Sequence, residues 1–259
     1  MADWKTELTG RVLVLVAHAD DESVAYGALL QKMREPTVVI ATDGCPRDEY
    51  FWGRFGSREA YREVRREEAR QAMQAVGVGA PVLLADEDAR LEDQRLFLNL
   101  DVAWALLLPM AEKTKPEAIA TLAYEGGHPD HDSCSLLSAR LGKRLGVPVW
   151  ETAVYSRGAA APGEVGPPMV QRFLVESGEE AAVAISEAEL ERKRRMCAQY
   201  ASQGDFLQIF DARREVVRPQ IKYDYSRAPH AGRTNYEEWQ WWMSAQQVCA
   251  KFSEFVEGR

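Results

Sequence analysis

The chain has 259 residues, 46% of them hydrophobic, enough for one large α/β domain or two small ones. A formal charge of −8 argues against nucleic acid or an anionic membrane surface as the main partner. No apolar run is long enough for membrane insertion, and the opening stretch MADWKTELTG has no signal-peptide core. Cys45, Cys134, Cys197 and Cys249 lie far apart without a C-x-x-C pair, which reads as reduced thiols in a cytoplasmic protein.

Residues 11–17 (RVLVLVA) are apolar after Arg11, the pattern of a strand buried on both faces. Helical spacing follows through Val24, Ala28 and Leu29, then a strand over 37–42 (TVVIAT). A long amphipathic helix is predicted from about Ser57 to Val76, with Tyr61, Val64, Ala72, Ala75 and Val76 as its apolar face. A strand at 81–85 (PVLLA), a helix from about Arg95 to Lys113, a strand at 117–123 (EAIATLA), a helix after His131 and a strand at 147–155 (VPVWETAVY) come next. The alternation predicts an α/β fold, a Rossmann-like three-layer sandwich with a mostly parallel sheet and a C-terminal elaboration.

Residues 156–168 (SRGAAAPGEVGPP) read as a loop that could form part of a site wall. Beyond them lie 169–175 (MVQRFLV) and two helices, one opened by a Ser186–Glu189 capping box and one where Asn235 and Glu238 could do the same. The expected organisation is a single domain over 1–259, with a Rossmann-like core at 10–155 and a substrate-side loop, strand and helices at 156–259.

In an open parallel sheet, ligands bind beyond the carboxyl ends of the strands. That edge collects His18, Asp20 and Asp21 after the first strand and Asp43 with Gly44 after the second. Asp86 follows the third strand, and Tyr124, His128, Asp130 and His131 follow the fourth. His18 and Asp21, three apart where a strand turns into a helix, can point at one ion. A catalytic zinc takes three protein ligands and keeps a position open, so the third should come from another strand end. GGHPDHD (126–132), with His128 and His131 three apart, supplies it. A G-x-S-x-G elbow and a G-x-G-x-x-G phosphate loop are both missing, which sets aside serine hydrolases and dinucleotide enzymes.

AHADDE (17–22) together with GGHPDHD resembles the paired motifs of the LmbE-like (PIG-L) family of zinc-dependent N-deacetylases. TDG (42–44), the R-x-x-E of Arg65 and Glu68, and KRRMCAQYASQ (193–203) are also similar to that family, over roughly residues 10 to 205. The resemblance implies His18, Asp21 and His131 as metal ligands and Asp20 as the general base toward the zinc-bound water. It implies that His128 faces the substrate carbonyl or the departing amine, and that Asp130 orients a histidine. Ala19 stands where the family usually has proline, and Gly126 where some members carry a tyrosine; Tyr124 lies close by as a substrate-binding candidate.

The function so implied is removal of an N-acetyl or other N-acyl group from an amino sugar or sugar conjugate, a small-molecule partner. The alternatives are a catalytically silent metal- or carbohydrate-binding module, or a metal-dependent hydrolase of a different amide or ester bond. Zn2+ is the expected cofactor, and a His/Asp/His set also accepts Fe2+, Co2+ or Mn2+. A homo-oligomer is compatible with the resemblance.

Several residues carry two readings. Arg65 either lies near the substrate or forms a buried pair with Glu68. Asp43 either lines the pocket or closes a D-G turn. Glu22 either favours the helix dipole or holds a ligand histidine. His230 reads as a loop residue. The indoles of Trp239, Trp241 and Trp242 cannot all share one helix face, so an exposed one is free to stack on a sugar or enter an interface.

Overall fold

The computed structural model describes residues 3–258. Five strands run parallel: β1 (Arg11–Val16), β2 (Glu35–Ile40), β3 (Val82–Leu83), β4 (Ala118–Leu122) and β5 (Val149–Thr152). Two more, β6 (Tyr155–Arg157) and β7 (Pro168–Val170), form a separate antiparallel ribbon. The short β8 (Ala181–Ala182) and β9 (Val216–Pro219) extend the main sheet, which has the order β3-β2-β1-β4-β5-β9-β8. β9 lies antiparallel to β5, so the sheet continues past residue 155 into the C-terminal part of the chain.

Position β1 is central because Val12 to Val16 are apolar on both sides and fully buried. Val14 pairs with Val38 on one side and Ala120 on the other. Chain order reverses here: β2 and β3 lie to one side of β1, β4 and β5 to the other. This is the switch point where a crevice opens beyond the strand ends.

The helix Arg58–Ala75 is capped by Ser57, whose side chain accepts from Ala60 N–H. Its buried face is Tyr61, Arg65, Glu68, Ala69, Ala72 and Met73, turned from the expected one so that Val64 and Ala75 are only half-buried. The next long helix covers Leu100–Thr114 and starts later than residue 95. The reason is local: the amides of Gln94 and Leu96 bond to the Asp130 carboxylate, and Gln94 has φ +64. The helix Pro129–Leu145 begins two residues before His131, since Pro129 suits the first helical position and His128 caps it.

The Ser186–Glu189 box opens the helix Glu187–Cys197 as expected. The later box is shifted by one residue to Thr234–Glu237 and opens a single turn, Asn235–Glu238. The long final helix, Ala245–Glu257, has its own box from Ser244 and Gln247. Of 169–175 only the first two residues are strand, because Gln171 takes φ +50 and ends it.

Candidate active site

His18 lies two residues past β1 in a turn held by backbone strain. Asp20 adopts φ +127, a conformation that costs a non-glycine residue about 1–3 kcal/mol. Glu22 stabilises it: one oxygen accepts Asp20 N–H at 3.0 Å, and the other accepts the hydroxyls of Ser23 (2.7 Å) and Tyr200 (2.6 Å). Glu22 therefore braces the turn rather than a histidine. Tyr200 comes from the 193–203 stretch, which also sends Ser202 to Glu68 (2.8 and 2.6 Å) and Gln203 to Tyr61 (2.7 Å).

The two loops meet. Asp21 Oδ1 lies 3.2 Å from His131 Nε2, and Asp21 Oδ2 lies 3.4 Å from His18 Nδ1. One ligand atom from each of His18, Asp21 and His131 can be chosen so that all lie within 4.8 Å of one another. Bonds of about 2.0–2.1 Å to a tetrahedral ion put neighbouring ligand atoms about 3.4 Å apart, within the 4.8 Å span of this set. Both ring nitrogens of the buried His131 lack a hydrogen-bond partner, so the 3.2 Å approach to Asp21 is contact without hydrogen-bond alignment. Converging ligand atoms leave that signature, and the donor set fits a divalent cation.

Charge points the same way. Asp20, Asp21, Asp93 and Asp130 are buried around three imidazoles, with Arg65 the buried guanidinium beside them. Burial alone would raise the Asp21 carboxyl, yet His131 and His18 hold it well below the usual carboxylate range. Burial opposes a charged His18, but Asp93, Asp130 and Asp21 outweigh it and raise its pKa well above the ordinary value. Burial pushes Asp20 up to about 7 against the pull of Arg65, with Asp21 adding to the rise.

Asp130 fixes the second loop. Its carboxylate accepts the amides of Gln94 (2.6 Å) and Leu96 (2.9 Å) and faces His18 Nε2 at 3.2 Å. Its own N–H donates to His128 Nδ1 at 3.1 Å. A neutral His128 thus carries its proton on Nε2, which lies 3.3 Å from Asp93 Oδ1. Burial and His18 lower the His128 pKa.

Asp93 is a site residue that sequence reasoning missed. It lies ten residues beyond β3 with no distinctive spacing, and Asp86, the residue picked at that strand end, ion-pairs with Arg66 outside the cavity. Asp43 also stays out of the cavity. Its Oδ2 lies between Arg58 (3.0 Å) and Arg62 (2.9 Å), while its Oδ1 accepts Asp93 N–H (2.9 Å), so it positions Asp93. Arg65 does line the cavity, 3.5 Å from Asp20, and the alternative pair with Glu68 does not form. Gly44 makes room for it: at φ +57, a Cβ there would sit 3.2 Å from Arg65 Nε.

Tyr124 is placed elsewhere, its hydroxyl donating to the Arg227 carbonyl beneath the C-terminal helix. Gly126 cannot hold a tyrosine, since at φ +68 a Cβ would lie 2.9 Å from Thr234 Cγ2. Tyr155 lines the cavity instead, its ring 5.3 Å from that of His131 and its N–H held by Glu125 at 3.1 Å. His230 packs over Gly126, outside the cavity. No residue of 156–168 lines the cavity, because that ribbon folds back onto residues 231–233 through Ala160 and Glu164. The four cysteines are free.

The cavity above the ligand set has a volume of about 870 Å³. The class defined here is a Rossmann-like α/β sandwich with a His/Asp cluster able to hold a cation at its switch point, under an open cavity. The family described as GlcNAc-PI de-N-acetylase, PIG-L, matches residues 13–141. A probable N-acetyl-alpha-D-glucosaminyl L-malate deacetylase 2 of Bacillus cereus is 27% identical over 139 residues, covering 52% of this chain. The chain spans 61% of the length of that relative. The zinc-inhibited form of teicoplanin deacetylase superposes with a TM-score of 0.63 at 15% identity, covering 83% of this chain and 99% of that one. An antimicrobial pseudoaglycone deacetylase superposes at 0.57 and 18% identity, covering 83% and 98%. At such identities the likeness to solved structures establishes the fold. The chain belongs to the PIG-L family. Among the described residues, no helix is long and apolar enough to cross a membrane.

Proposed function

We propose that this protein is a metal-dependent amide hydrolase that removes an N-acetyl or other N-acyl group from an amino sugar or sugar conjugate. The observation that carries the proposal is the meeting of Asp21, His18 and His131 on the floor of an open cavity, with Asp20 and His128 beside them. His18, Asp21 and His131 would hold the cation, and zinc is the ion we assign. A bound divalent ion supplies Lewis acidity, polarising a carbonyl and bringing the pKa of water from about 15.7 to about 7.

The chain's own groups do the rest. Asp20, buried and held at one edge by Arg65, accepts the proton of the attacking water. His128 presents Nε2–H toward the cavity floor, where it can donate to the developing oxyanion or the departing amine. Asp93 Oδ1 lies 3.3 Å from that Nε2 without a hydrogen bond, so its charge steadies the imidazole and leaves the N–H for the substrate, and Asp130 holds both His18 and the 94–96 loop. Binding a cation alone needs neither Asp20 nor His128, which favours catalysis over a silent binding module. The partner is a small-molecule N-acylated amino sugar or glycoconjugate. The free thiols fit a cytoplasmic setting.

The test is elemental analysis of the purified protein paired with acetate release from N-acetylhexosamine conjugates. About one zinc per chain and steady acetate release are expected. A metal-loaded protein that releases no acyl group from any N-acylated sugar would defeat the proposal.

A further inference from the structure

Four aromatic residues among the described ones are exposed, and all four line the mouth of this one cavity. Tyr50 is 87% exposed, Trp242 48%, Trp239 41% and Phe206 37%. They come from three separate stretches of chain. Exposed rings gathered from distant segments around a single opening mark a recognition surface rather than incidental surface apolarity.

The 239–242 stretch is shaped for this purpose. Gln240 adopts φ +56, and Trp241 N–H bonds back to the Tyr236 carbonyl at 2.9 Å. That tight turn, anchored by buried Tyr236 and Met243, points all three indoles at the cavity, which a regular helix could not do. Trp241 reaches the floor, its ring 4.9 Å from that of His128, while Trp239 lies outward beside Tyr155 at 5.9 Å.

Three polar groups at the mouth are already engaged. Arg47 bonds to Glu92 at 2.7 Å, Asp48 accepts Tyr50 N–H at 2.9 Å, and Gln203 donates to Tyr61 at 2.7 Å. The mouth sets four exposed rings beside the Gln240 side chain, a surface suited to stacking a flat apolar ring. Size adds to the case: the cavity of about 870 Å³ is near the upper end of the roughly 300–1,000 Å³ that drug-sized ligands fill. One amino sugar leaves most of it empty.

We infer that the substrate is an N-acylated hexosamine carrying an apolar, ring-containing aglycone, with the sugar amide over the cation site and the aglycone against Tyr50, Phe206 and Trp239. This rests on the deacylase reading of the site.

The metal-loaded protein would be assayed for acetate release from the methyl, benzyl and naphthyl glycosides of N-acetylglucosamine, and from N,N'-diacetylchitobiose. The naphthyl glycoside should exceed the methyl one in kcat/KM by about tenfold or more, chiefly through KM. Its binding should also quench tryptophan fluorescence. Tyr50→Ala and Trp239→Ala should each move the naphthyl-to-methyl ratio toward one. Tyr50 is exposed enough that its removal leaves the fold alone. Equal handling of the two glycosides or a preference for chitobiose would overturn the inference while leaving deacylation standing. No acyl release from these or from longer-chain N-acyl glucosamines would instead defeat the deacylase reading.

Discussion

Asp20→Asn separates proton transfer from metal binding. The substitution preserves shape, so asparagine meets the positive φ found there with the same bulk as aspartate. Its amide can still lie beside Arg65 but cannot take a proton. Loss of a positioned general base costs about 10²–10⁴ in rate, which is about 2.7–5.4 kcal/mol of transition-state stabilisation. The structural cost is smaller. At the 3.5 Å separation from Arg65 the gross charge attraction is about 5 kcal/mol at an effective dielectric of about 20. Desolvation of both groups offsets much of that, so a net stability loss of about 1–3 kcal/mol is expected. A domain stable by about 5–15 kcal/mol stays folded. The variant should therefore retain its metal, melt cooperatively and release acetate at least about 100-fold more slowly. A loss under about tenfold refutes Asp20 as the base; a parallel loss of metal shows that it is a ligand instead.

Three further outcomes follow from the geometry. His131→Ala should abolish stoichiometric metal binding, and added zinc at 100 times the wild-type Kd, which stabilises the parent by about 2.7 kcal/mol, should leave its melting unchanged. Lys193→Met strands the Glu215 carboxylate in a site where it accepts Lys193 at 2.7 Å and Leu29 N–H at 2.9 Å; urea unfolding should register a loss of about 3–5 kcal/mol, and under about 1 kcal/mol contradicts the pair's structural role. Gly126→Ala must meet Thr234 at a φ of +68, so a destabilisation of about 1–3 kcal/mol is expected by the same method; unchanged stability would mean the loop re-routes freely.

The parallel sheet was legible because β1 and β4 are short apolar runs that end in polar residues at one edge. His18, Asp21 and His131 were legible for a related reason: strand ends fix where their loops start, so spacing carries geometry. Asp93 was not. It reaches the site only because Asp43 and the 94–96 amides fold its loop inward, contacts between residues remote in the chain. Asp43 read as a pocket residue since its position at a strand end is right, but two arginines from the following helix claim its carboxylate. The Trp-rich stretch reads as helix because Asn235 and Glu238 have capping-box spacing; the box forms at Thr234 and Glu237 instead, the helix stops after one turn, and no local rule announces the positive φ at Gln240.

All three proposed cation ligands hang from β1 and β4, neighbours in the sheet, whereas every exposed ring at the mouth belongs to segments outside that pair. Reactivity and selectivity are thus inherited from different stretches of chain. A lineage can refashion what it accepts by insertions at 47–51, 203–206 or 239–242 while the strands carry the same chemistry forward. A protein engineer grafting a foreign mouth onto this scaffold would have the same freedom.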